Sequence, residues 1–152
     1  MPELSASHRL RIGRCSERNR IYLLTANTLG RETVFVDYAL GRLVVSQFRQ
    51  AQNDGFVESL AFVVMPDHFH WLIQLNRGSL GQLMCQTKSL STRAVNVAMG
   101  RTGSLWQQSF HDHALRQEED LVKLARYVVA NPLRAGLVEK LGDYPLWDAI
   151  WV

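Results

Sequence analysis

Hydrophobic and polar positions change their period several times along the chain, and each change marks an element. Ile21 to Thr25 is an apolar, β-prone run that reads as a strand. Asp37 stands where it can cap a helix whose apolar residues, Leu40, Leu43, Val44 and Phe48, fall at i, i+3, i+4 and i+8. Asn53-Asp54-Gly55 is a strong turn signal that ends it. Two strands are expected next, Val57 to Met65 and Phe69 to Leu75, with Pro66-Asp67 between them; so short a separation demands an antiparallel hairpin, placed centrally in the sheet. Leu80 to Met99 fits a second helix, with Leu80, Leu83, Met84, Leu90, Ala94 and Ala98 on roughly one face and Gly78, Gly81, Gly100 and Gly103 near its ends. After a loop ending in Leu105-Trp106, a fourth strand is expected around Phe110 to Arg116. A third helix then opens in Glu118-Glu119-Asp120, where negative charge suits a helix N-terminus.

This order, βαββαβ followed by a further helix, predicts an α+β fold: a ferredoxin-like sandwich of a four-stranded antiparallel sheet with two helices on one face. Such sheets serve many functions, so the fold alone does not choose one. With 152 residues, no internal repeat and no linker, a single domain over residues 1–152 is expected. The apolar share of 47% and charged share of 20% are ordinary for a packed globular chain and exclude a disordered or low-complexity one. The longest unbroken apolar run, Leu60 to Met65, falls far short of the about 20 residues a membrane span needs, so no membrane partner is expected. Arg9, Arg11 and Arg14 lack the apolar stretch of a signal peptide beside them, and Cys15 and Cys85 form no Cys-x-x-Cys. Both features predict a cytoplasmic protein with reduced thiols.

A net charge of +3 says little, but 14 of the 17 basic residues are arginine, whose planar fork suits phosphate. Between Asn76 and His111 stand Arg77, Lys88, Arg93 and Arg101 with no acid, and residues 1–20 carry five arginines against Glu3 and Glu17. Those stretches could form a polyanion-binding face, although two solvated faces would look the same.

Two constellations can carry chemistry. In His68-Phe69-His70, strand alternation puts both imidazoles on one face, where they could hold one divalent ion; two partly exposed histidines are the plain alternative. In the stretch from Leu121 to Gly136, Leu121, Leu124, Ala125, Val128 and Val129 form an apolar stripe. Tyr127 lies about 130° from its centre, in line with Lys123 and Asn131. Lys123 and Arg126 supply the positive surroundings an anionic nucleophile needs, whereas a tyrosine lying across the helix edge would need no chemistry at all. Asn131 before Pro132 could be a helix cap or, through its amide oxygen, a metal ligand. Asp112 and His113 could pair; His8 and His111 carry no signal. Dinucleotide-binding, phosphate-loop, nucleophile-elbow and zinc-deaminase motifs are all missing.

Together these stretches resemble the single-strand tyrosine transposases of the HUH class, especially the REP-associated tyrosine transposases. FVVMPDHFHWLIQL (62–75) looks like the strand bearing His-hydrophobe-His, GSLWQQSFHDHALR (103–116) like the Gly-x-Leu-Trp segment, and RYVVANPLRAGLV (126–138) like the nucleophile helix. DYPLW (143–147) is similar to the closing Tyr-Pro-Trp stretch. The resemblance implies that Tyr127, on the added C-terminal helix, is the nucleophile and that His68 and His70 bind Mg²⁺ or Mn²⁺, with Asn131 completing the site. It implies metal-dependent cleavage and transfer of single-stranded DNA through a 5′-phosphotyrosine, at hairpin-containing repeats. Arg77, Lys88, Arg93, Arg101 and Lys123 would contact the backbone, while Trp106 or Trp71 would stack on bases. Asp67 departs from the asparagine common before the first histidine. A non-cleaving regulator of the same fold and a hydrolase using only the histidines stay open, as do a homodimer and a monomer.

Overall fold

The structure, a computed structural model, describes residues 20–116 and 120–150. Arg9, Arg11, Arg14, Cys15, His8, Glu118 and Glu119 lie outside the described residues. Five strands, β1 (Ile21–Asn27), β2 (Val57–Met65), β3 (His68–Leu75), β4 (His111–Ala114) and β5 (Trp147–Ala149), form one sheet in the order β4-β1-β3-β2-β5. Every pairing is antiparallel. The hairpin strand β3 is central, and Met65 pairs with His68 across the two-residue Pro66-Asp67 turn. The expected four strands are therefore joined by a fifth, which adds to the outer edge of β2 through Ala61, Phe62 and Val63. Three residues are too few to display a period of two, so β5 leaves no pattern to read.

Helices α1 (Tyr38–Asn53) and α2 (Leu80–Met99) cover one face of the sheet. Asp37 caps α1 by accepting from the Ala39 amide at 3.0 Å. Ser79 and Gln82 close a reciprocal capping box on α2, and Gly100, at φ 66°, ends it in the left-handed conformation that suits glycine. Phe69, Trp71, Ile73 and Leu75 of β3 point into this layer with no exposure. Trp71 stacks on Phe48 of α1 at 4.3 Å between ring centroids and donates its indole N–H to Ser59 Oγ at 2.9 Å, so it is a core residue.

The opposite face is covered by α3 (Leu121–Val129), which Asp120 caps by accepting from the Lys123 amide. Its Ala125 and Val129 pack on Leu60, Ala61, Leu72 and Ala149. Burying Val129 is worth about 1.5–3 kcal/mol, which helps seat the short helix on the sheet. A four-residue helix, α4 (Asn131–Arg134), follows after a break at Ala130. Among the described residues no helix is long and apolar enough to cross a membrane.

Candidate active site

Alternation along β3 sends His68, His70 and Leu72 to the face that α3 covers. The registers of the flanking strands fix their neighbours: Asn27 and Met65 beside His68, and Thr25 and Val63 beside His70. The two imidazoles stand with ring centroids 5.0 Å apart and planes 76° from parallel. Each has its Nδ1 engaged. His68 Nδ1 donates to Asp67 Oδ1 at 2.8 Å, and His70 Nδ1 lies 2.7 Å from Thr25 Oγ1. Such bonds orient the ring and, when Nδ1 carries the proton, leave the Nε2 lone pair for a cation.

Asp67 is itself held by Arg31, whose Nε donates to Oδ2 at 3.0 Å. Partial burial opposes its ionisation, but hydrogen bonds from His68 and Arg31 outweigh that and hold the carboxyl below its ordinary range. Burial, then the charges of His68 and Arg134, push His70 down to about 4. It is therefore neutral, as a metal ligand must be, at any ordinary pH.

Tyr127 is 57% exposed on the solvent side of α3, and its hydroxyl makes no hydrogen bond among the described residues. The cation placed against it is neither Lys123 nor Arg126 but Arg134, whose guanidinium carbon lies 3.7 Å from the ring centroid. That arrangement depends on the break at Ala130. Pro132 has no N–H to give the Val128 carbonyl, and the Asn131 side-chain amide donates to that oxygen at 2.8 Å instead. Ala130 occupies the cap position that was one of the two roles open to Asn131. The Asn131 amide nitrogen is thus committed to the helix junction, and the oxygen, the atom a cation would use, takes no part in that bond.

The same sheet face continues onto β4, where His111 pairs with Thr25 and His113 with Leu23. Asp112 is buried toward the other face, so it and His113 do not share a side. Among the described residues no third His, Cys, Asp or Glu joins the His68–His70 pair in a three-ligand cluster.

The candidate DNA contacts are scattered. Trp106 is a correction: it is 5% exposed, packs on Phe35 and Phe69, and donates to Ser91 Oγ, so it belongs to the core and offers no face to a base. Lys88 Nζ donates to the carbonyls of Gln107 and Ser109, tying α2 to the loop before β4, and burial pulls its ammonium below the usual lysine range. Arg101 makes a two-pronged pair with Glu32, at 2.8 and 3.0 Å. Arg77 lies 4.5 Å over the Phe56 ring. Arg93 and Lys123 are exposed. Thr25, Arg31 and Arg134 were not singled out in the sequence. Only a known strand register reveals Thr25, and only the helix break brings Arg134 back to Tyr127.

Comparison with known proteins shows what the chain and its fold are similar to. A REP-associated tyrosine transposase of Escherichia coli is 26% identical over 63% of this chain and 56% of its own. A candidate REP-associated tyrosine transposase of Haemophilus influenzae is 29% identical over 66% of this chain and 63% of its own. The aligned part of the chain thus spans less than two thirds of the length of either relative. The fold is shared with the solved REP-associated tyrosine transposase bound to a REP hairpin, at a TM-score of 0.68, 24% identity, and coverage of 89% of this chain and 79% of that one. A candidate transposase from Deinococcus radiodurans superimposes at a TM-score of 0.55 with 24% identity, over 76% of this chain and 93% of that one. The family described as IS200-like transposases matches residues 18–131, from before β1 to the end of the Tyr127 helix, and the chain belongs to that family.

Proposed function

We propose that the chain cuts and rejoins single-stranded DNA at hairpin-bearing sequences through a covalent 5′-phosphotyrosine on Tyr127. The observation that carries this reading is the placing of Tyr127: its helix packs on the sheet face to which His68 and His70 point, and the Arg134 guanidinium lies over its ring. The names of the relatives, and the hairpin bound to the structural neighbour, support hairpin DNA as the substrate class.

The donor set fits a divalent cation, because two imidazoles with anchored Nδ1 atoms share one sheet face. His68 and His70, with the oxygen of Asn131, would hold Mg²⁺ or Mn²⁺. Bound there, the ion would polarise a phosphate oxygen and ease departure of the 3′ oxygen.

The chain's own residues do the rest. Tyr127 Oη forms the new bond to phosphorus as the bond to the 3′ oxygen breaks; the phenol gives up one proton to solvent and the departing oxygen takes one. One phosphodiester replaces another, so a second 3′-OH can reverse the step without an external energy source. Tyr127 needs no rearrangement of the core to react, since the ring is exposed and its hydroxyl uncommitted. Incubation with labelled hairpin single strands and Mn²⁺ tests the reading: a protein–DNA adduct resistant to denaturation is expected from the wild type and none from Tyr127→Phe. DNA binding without any adduct would mark a non-cleaving regulator instead.

A further inference from the structure

In an unbroken α-helix, residues 127 and 134 would stand about 10.5 Å apart along the axis. Here Ala130 leaves the helical conformation, at ψ 0°, and both Leu133 and Arg134 donate their amides to its carbonyl, starting a new turn. The chain bends, and Arg134 folds its guanidinium over the Tyr127 ring at 3.7 Å. Among the described residues no carboxylate pairs with Arg134, in contrast to Arg31 with Asp67 and Arg101 with Glu32. Its five N–H donors are therefore unspent beside the nucleophile, and a guanidinium with free donors matches phosphate geometry two oxygens at a time.

We propose that Arg134 is a catalytic residue that binds the scissile phosphate and presents it to Tyr127. The inference rests on the strand-transfer reading above and adds a residue to it. The guanidinium rests on the aromatic face, a contact of modest strength at an exposed position. When DNA enters, the donors take the non-bridging oxygens on which charge accumulates as the tyrosine attacks. A residue that merely clamped the ring would give the same resting geometry, so the test must read charge at the phosphate.

The test is a double-mutant cycle on binding. Tyr127→Phe protein, which cannot cleave, is titrated by fluorescence anisotropy with hairpin single strands. Each strand carries one neutral methylphosphonate, moved stepwise along it, and the series is repeated with Tyr127→Phe/Arg134→Ala. The expected result is one position at which the methylphosphonate weakens the Arg134-containing protein by about tenfold and the Arg134→Ala protein hardly at all. Additive losses at every position overturn the proposal. In the cleaving background, Arg134→Ala is expected to lower the single-turnover rate about 10²- to 10³-fold, with partial recovery in millimolar guanidinium. A wild-type rate, or a loss that guanidinium does not relieve, overturns it as well. Absence of cleavage by the wild type would refute strand transfer, while the binding cycle would still decide the role of Arg134.

Discussion

Thr25 Oγ1 lies 2.7 Å from His70 Nδ1, a contact made across the β1–β3 ladder where the two residues are register partners. With the bond from Asp67 to His68, it means that neither imidazole is free to rotate. Partners of this kind are worth about 10- to 100-fold in metal affinity. Thr25→Val, which keeps the shape and removes the hydroxyl, and Asp67→Ala are each expected to weaken Mn²⁺ binding within that range, measured by calorimetry. Wild-type affinity in both variants would show that the rings need no such support.

Acid should destabilise the metal-free protein through His70. Its folded value is about 4 against an unfolded value of 6.5, so between these limits the unfolded chain binds the extra proton. Stability therefore rises with pH across this window and is lost on acidification, by at most about 3 kcal/mol. Urea midpoints at pH 7 and pH 4.5, in chelator, are expected to differ less in His70→Gln than in the wild type. An equal fall in both would place the acid sensitivity elsewhere.

Trp106→Ala is expected to cost about 3–5 kcal/mol in urea unfolding, because it empties a buried site between Phe35 and Phe69 and leaves Ser91 without the indole donor. A variant as stable as the wild type but weak in DNA binding would instead restore the stacking role that the sequence suggested.

The basic residues divide by what they touch. Arg93→Ala and Lys123→Ala, at exposed positions, are each expected to reduce the slope of log affinity against log salt by about 1. Arg101→Ala and Lys88→Met remove a loop tie and should leave that slope unchanged. The opposite grouping would contradict the assignment.

These contrasts show what a sequence can carry. The bounds of α2 were legible because glycines flank it, but its face only in part: Leu80, Leu83 and Met84 are buried as expected, whereas Thr87, Ser91 and Val95 continue the buried face in place of Leu90, Ala94 and Ala98. The hairpin was legible because Pro66-Asp67 leaves room for nothing but a tight turn. His68 and His70 shared a face by alternation alone. Trp106 was misread because an indole in a glycine-bearing loop has no period from which to judge burial. The partners of Lys88 and Arg101, at Gln107, Ser109 and Glu32, were not legible because they come from other parts of the fold. Arg134 was overlooked because the proline break, visible as a motif, gives no direction for the chain that leaves it.

The central claim is a phosphotyrosine of defined polarity, and strand labelling tests it most directly. A hairpin-bearing single strand labelled at its 3′ end, incubated with protein and Mn²⁺ and run on a denaturing gel, is expected to carry its label onto the protein. The same strand labelled at its 5′ end should yield a free fragment with an extendable 3′-OH. Both signals should vanish in Tyr127→Phe. Cleavage that persists in Tyr127→Phe, or a protein adduct that retains the 5′ label, would contradict the account.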